Sequence, residues 1–332
     1  MKLIVSSLEA LQTYVSREFY YVMTDLMTNF NWRQIETGEL SIAPGTVKDR
    51  ILDEFGELPE IILFWEGYDL LIAKVEDIYH LPCLKVILAD DLHWWNEQQR
   101  FKKVVAFGLC EMVLSTYGYT WHNFYPEFAG TKKVVWVPHS ASPDFMLPYN
   151  QNPENFILLS GAVDRYYPLR QQMRALYSQD SYSIVYQGHP GYFTGYDYEN
   201  DQAVGSGYAK TINRYRAAFT DCLIYRYVVA KYFEIPAAGA LLFAEDAVSG
   251  PLRKLGFIEN THYFTVSKEN LEERIEYILD ESNHEELDEI RRAGQALVWE
   301  KHKTSDRARQ INEECESLRF QARHAGVTSS GR

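Results

Sequence analysis

The segment KYFEIPAAGALLFAED, residues 231–246, sets a lysine and a glutamate three residues apart ahead of a run of small and apolar residues. Residues at that spacing share a helix face, so a local ion pair between Lys231 and Glu234 is the plain reading. The chemical reading is that Glu234 accepts hydrogen bonds from a vicinal diol, as acids do with ribose in dinucleotide sites. Pro236 fits best in the first turn of a helix, which predicts Glu234 near the helix start. Ala237, Ala238 and Gly239 then permit close packing on the following strand, ALLFAE.

Upstream, LLSGAVDRYYPLR (158–170) reads as a strand, a glycine, a loop and a helix start. Gly161 lets backbone approach a ligand closely, and helix N-termini attract anions. Arg165 and Arg170 add two guanidinium groups, whose forked donors suit phosphate oxygens. Solvated or surface-paired arginines are the plain alternative, and neither a P-loop nor G-x-G-x-x-G is present. YQGHPGYF (186–193) follows another strand and places His189 in a tight turn, either against a ligand or as a simple connection.

Acid–base candidates lie in ADDLHWW (89–95), where Asp90, Asp91 and His93 follow a strand. His93 titrates near neutrality and is the preferred catalytic group, with Asp91 beside it. Capping of the next helix is the competing role for Asp91. His139, after VVWVP, is a second base candidate. His122 sits among aromatics that would stack on a sugar or simply fill a core. The acids and histidine of DDLH are bunched, with no second cluster and no D-x-D pattern, so no metal and no cofactor are expected.

These groups need a scaffold. Short, nearly continuous apolar runs at 2–7, 60–65, 84–91, 104–108 and 132–140 read as strands buried on both faces, with helices at 8–28 and 94–102. After a Pro- and Asn-rich stretch at 145–156, a second series follows at 156–161, 183–188, 217–221, 240–245 and 263–266, then long charged helices over 284–321. The expected class is α/β, with two Rossmann-like domains facing a central cleft. The first spans 1–150 and the second 151–321, the last helix packing back on the first domain. Residues 322–332 are expected to form a disordered tail.

With 332 residues, the chain is long enough for about two domains. A net charge of −13 argues against nucleic acid and against an anionic membrane surface as partners. The four cysteines are widely spaced and fit reduced thiols in a cytoplasmic protein. No run reaches membrane-spanning length, and the N-terminus reads as a strand rather than a signal peptide.

KYFEIPAAGALLFAED resembles the signature of glycosyltransferases of the GT-B architecture, in the glycosyl transferases group 1 family and close to the spore-maturation CgeB-like group. LLSGAVDRYYPLR is similar to that group's G-x-x-x-x-R loop, and HKTSDRARQI (302–311) to its closing helix, with Lys303 as an extra residue. The likeness covers most of 156–311. VPHSASPDFM (137–146) is similar to the segment before the linker. The resemblance implies transfer of a hexose or pentose from a UDP- or GDP-sugar in the second domain to a glycan, protein or small-molecule acceptor in the first. It implies that Glu234 binds the ribose, that Arg165 and Arg170 meet the diphosphate, and that Gly239 serves helix packing; Lys231 is read as a further cation for the leaving diphosphate, and the His189 turn as holding the rim of a base or sugar. Arg165→Ala is then expected to weaken donor binding by a few kcal/mol. Arg226 stands where the broader retaining group has the first of two glutamates separated by seven residues, and is read as a further phosphate contact. A sugar-nucleotide epimerase and a non-catalytic nucleotide-sugar-binding protein are the alternatives.

Overall fold

The computed structural model describes residues 1–42, 45–179 and 182–329, with no side-chain description for 42 or 325–329. The chain divides into two compact units, one of Met1–Glu9, Tyr20–Pro138 and Ser305–Arg332, the other of Ala10–Phe19 and His139–Thr304. Each is an α/β unit built on a parallel sheet.

The first unit holds β1 (Lys2–Ser6), β2 (Trp32–Glu36), β3 (Ile61–Trp65), β4 (Leu84–Ala89), β5 (Met112–Ser115) and β6 (Lys133–Trp136), in the order β2-β1-β3-β4-β5-β6. Every residue of β3 is buried, as a central parallel strand covered on both faces requires. The second unit holds β7 (Glu154–Gly161), β8 (Ile184–Gly188), β9 (Tyr215–Thr220), β10 (Leu241–Glu245) and β11 (Phe264–Val266), in the order β11-β10-β9-β7-β8. Its core joins Ile157, Leu159, Phe219, Leu241 and Phe243 from the central strands to Leu169 and Met173 of the helix Pro168–Ser178.

Several elements differ from the sequence reading. VVAFG (104–108) is not a strand but part of the helix Glu97–Leu109, which buries Lys103, Ala106 and Phe107 on one face. A brief apolar run has no period of its own, so strand and helix look alike. β2 and β5 went unread: β2 is an edge strand with interleaved polar residues, and β5 has four residues. The helix expected over 8–28 is broken into Leu8–Gln12 and Glu18–Phe30.

The boundary expected at 150 lies at His139 instead, because the following segment is bonded to the second unit. Gln295 Nε2 donates to Leu147 O at 2.9 Å, and Arg291 Nη2 to Asn150 O at 3.1 Å. From Ser305 the chain belongs to the first unit, where Gln310 Nε2 donates to Trp136 O and Lys2 Nζ to Asn312 Oδ1. The expected tail from 322 continues the helix Thr304–Ser329; residues 330–332 lie outside the described residues.

Candidate functional site

β7 and β8 pair so that Gly161 lies opposite Gly188 at their carboxyl ends, where ligands bind in open α/β sheets. Gly161 has φ +101°, a conformation that suits glycine. A Cβ there would lie 3.0 Å from Arg170 Nη1 and 3.2 Å from Lys231 Cε. Two of the cations named from sequence therefore converge on the glycine turn.

They are not equivalent. Arg170 is 2% exposed, and its Nε lies 2.8 Å from Asp221 Oδ1. Its Nη1 donates to Ala162 O and its Nη2 to Thr220 Oγ1. Burial lifts the Asp221 carboxyl to about 6 against the pull of Arg170. The Arg170 charge is thus largely spent inside the protein. Lys231 Nζ instead donates to Tyr208 Oη at 2.6 Å, which is 2.6 Å from Ser160 Oγ. It meets no carboxylate among the described residues. Arg165 is exposed, donating to Tyr166 Oη and lying over that ring at 4.9 Å.

Glu234 lies in the helix Lys231–Ala237. Pro236 is not in its first turn but near its end, yet Glu234 does lie in the first turn, near the helix start. The helix starts without a side-chain cap. The predicted Lys231–Glu234 ion pair does not form, since Lys231 turns to Tyr208. The Glu234 side chain is more than nine-tenths buried, at 7% exposure, and no hydrogen bond reaches its carboxylate among the described residues. Burial raises its carboxyl to about 7; Glu18 and Asp144 push it further up, while Lys231 and His139 pull it down. A buried acid without partners carries a desolvation cost of several kcal/mol by order of magnitude, which a ligand with two hydroxyl donors would relieve.

The small residues after it are fully buried, and Gly239 turns at φ +85°. The buried Arg291 donates from Nε and Nη2 to Gly239 O, fixing that turn. His302 of the closing segment packs against Phe233 and Phe257 and lies 2.8 Å from Leu255 O. His139 is paired with Glu18, a residue the sequence reading missed: Nδ1 is 2.7 Å from Oε2. Ser140 donates both N–H and hydroxyl to Glu18 Oε1. Tyr208 and Asp221 were also missed; Asp221 does follow a strand directly, and that position was the available signal. His189 lies one residue past β8 in a tight turn, and Arg226 is exposed at φ +57°.

In the first unit, Asp91 does not cap the helix: Asn96 does, accepting from Gln99 N at 2.9 Å. The His93 ring is buried 3.6 Å from Asp91 and held below its usual titration range by burial. Lys103, also buried, donates to the carbonyls of Asp91 and His93. Glu66, following β3 at φ +57°, joins this group, its carboxyl lifted to about 7 by burial and by Asp90. His122 is exposed, whereas the rings of Trp121, Tyr125 and Phe107 pack as core. Among the described residues, no group of three or more His, Cys, Asp or Glu is placed to hold a metal ion, and no helix is long and apolar enough to cross a membrane.

Residues 170–313 match the family model described as glycosyl transferase-like. A search of curated proteins finds no match. Among solved structures, sucrose-phosphate synthase from Thermosynechococcus elongatus superposes with TM-score 0.67 at 11% identity, covering 97% of this chain and 100% of that one. Anabaena HepE in complex with UDP and glucose gives 0.59 at 10% identity, covering 96% and 100%. An alpha-glucosyltransferase in complex with UDP-glucose and DNA containing an abasic site gives 0.60 at 9% identity, covering 97% and 99%. Residues 170–313 are thus similar to the glycosyl transferase-like family model, and the two parallel-sheet units have the GT-B fold, in agreement with the resemblance the sequence shows.

Proposed function

We propose that this chain is a nucleotide-sugar-dependent glycosyltransferase whose second unit binds the donor. The observation that carries the reading is the buried Glu234 carboxylate without a partner, on the same short helix as Lys231 and beside the Gly161 turn. A ribose offers two vicinal hydroxyls as donors to such a carboxylate, and hydrogen bonds to a charged acceptor are the stronger kind. The diphosphate then lies at the Gly161–Gly188 edge, where Lys231 Nζ supplies the cation. The anomeric carbon–oxygen bond breaks with its electron pair on the departing diphosphate, and a preorganised ammonium stabilises that charge. The acceptor oxygen forms the new bond and releases its proton.

A UDP-hexose is the favoured donor, since HepE was solved with UDP and glucose. The acceptor is a hydroxyl-bearing glycan, protein or small molecule handled by the first unit, where Glu66, Asp91 and His93 are the candidate proton acceptors. A divalent metal is not required in this reading, because Lys231 meets the phosphate charge.

The test is donor turnover. Wild-type protein incubated with UDP-hexoses and GDP-hexoses is expected to release the nucleoside diphosphate, with or without EDTA, and Glu234→Gln to raise the donor KM about tenfold or more. Unchanged nucleotide affinity in Glu234→Gln overturns the assignment.

A further inference from the structure

His189 stands beside the Gly161 turn, because Gly188 pairs with Gly161 at the edge of the sheet. Its Nδ1 accepts the Gly191 N–H at 2.9 Å. Gly191 reaches that position with φ +115°, and the Phe193 ring occupies the space a side chain there would need. A ring nitrogen that accepts carries no proton, so the neutral imidazole has its hydrogen on Nε2. The charged groups acting on the ring are Lys231 and Arg170; with burial they hold its titration down to about 4. The turn therefore presents an uncharged N–H donor beside the Lys231 ammonium.

We propose that His189 is a neutral hydrogen-bond donor to the diphosphate of the nucleotide, acting through Nε2 with its tautomer fixed by the Gly191 N–H. Diphosphate oxygens only accept, so they match an N–H that cannot switch roles. A third cation there would be repelled by Lys231 and Arg170, whereas a neutral donor adds a directed bond without that repulsion. The inference rests on the reading of the second unit as the donor site.

Two measurements test it. Nitrogen-15 shifts of the free wild-type protein are expected to show His189 as the Nε2–H tautomer, uncharged at about pH 6; an Nδ1–H tautomer or an imidazolium overturns the proposal whatever the ligand. Calorimetry with UDP and uridine, and with GDP and guanosine, follows. A glutamine amide reaches the place of Nε2 and an asparagine amide does not. His189→Gln is expected to keep diphosphate affinity within about threefold while His189→Asn loses about tenfold, with nucleoside affinity unchanged in both. Equal losses in both variants, or a parallel loss of nucleoside binding, overturn it. If the wild-type protein binds none of the four ligands, the donor-site reading fails instead, and the tautomer result stands apart from that failure.

Discussion

Arg170 and Asp221 form an ion pair, Nε to Oδ1 at 2.8 Å, with side chains 3% and 0% exposed. The Asp221 carboxylate also accepts the Arg170 backbone N–H at 3.1 Å, so the first turn of the helix Pro168–Ser178 is tied to the end of β9 twice. This pairing engages with a carboxylate the guanidinium that the resemblance would place at a diphosphate. Breaking one side of a buried pair strands the other charge. Asp221→Ala is expected to destabilise the protein by about 3–5 kcal/mol in urea unfolding, and the Arg170→Met/Asp221→Leu double variant to recover much of that loss.

The two other cations near this loop are expected to behave oppositely in nucleotide titrations. Arg165 is exposed on Tyr166, where solvent screens it, so Arg165→Ala should change UDP affinity by less than about threefold. Lys231→Ala removes a half-buried ammonium beside Gly161 and should cost about tenfold or more. A reversed order would return the diphosphate to the surface loop.

Glu234 gives stability a distinctive dependence on pH. Its folded carboxyl titrates at about 7 against an ordinary value of 4.5, so the folded state holds the proton more tightly than the unfolded chain. The associated stabilisation is complete below the ordinary value and is lost as pH rises through about 7. Glu234→Gln should therefore gain about 3 kcal/mol relative to wild type between about pH 5 and pH 8. Unfolding curves of both proteins across that range check the sign, and a parallel pair of curves would refute the burial argument.

Gly161→Ala should damage the site with little effect on the core. Its φ of +101° is strained for any other residue, and the added methyl meets Arg170 Nη1 and Lys231 Cε at 3.0 and 3.2 Å. A loss of about 1–3 kcal/mol in stability is expected, together with weaker UDP binding because Lys231 must move. Thermal unfolding and calorimetry on the same sample separate the two effects.

The Glu18 carboxylate takes three hydrogen bonds, from His139 and from the Ser140 N–H and hydroxyl. Glu18→Ala leaves these buried donors unsatisfied and should cost about 2–4 kcal/mol. Glu18→Gln keeps the shape and part of the bonding and should cost less. The comparison by chemical denaturation shows whether the charge or the network matters.

The elements of the second unit were legible because its strands carry short, largely apolar runs, and burial of the central strands leaves that composition few other fates. The same logic misread residues 104–108, since a run of four or five apolar residues carries no period of its own, and in the helix Glu97–Leu109 only Ala106 and Phe107 of that run are buried, beside Lys103. At the site, residue types at strand ends picked out Gly161, Arg170, His189, Lys231 and Glu234, and the structure brings Gly161, Arg170 and Lys231 together. Local spacing misjudged their partners: three residues along a helix suggested that Lys231 would neutralise Glu234, and the lysine bonds Tyr208 instead.

By itself the sequence determined that two α/β halves would form and that a lone acid would precede a small-residue packing surface, because periodicity, composition and turn chemistry act over a few residues. Only the tertiary structure decided which charges remain for a ligand. Asp221 lies fifty-one residues beyond Arg170 and consumes its charge, while Glu234 is buried without a counterpart. Charge pairing and desolvation depend on distances through space, and those are set when the sheet and helices close on one another.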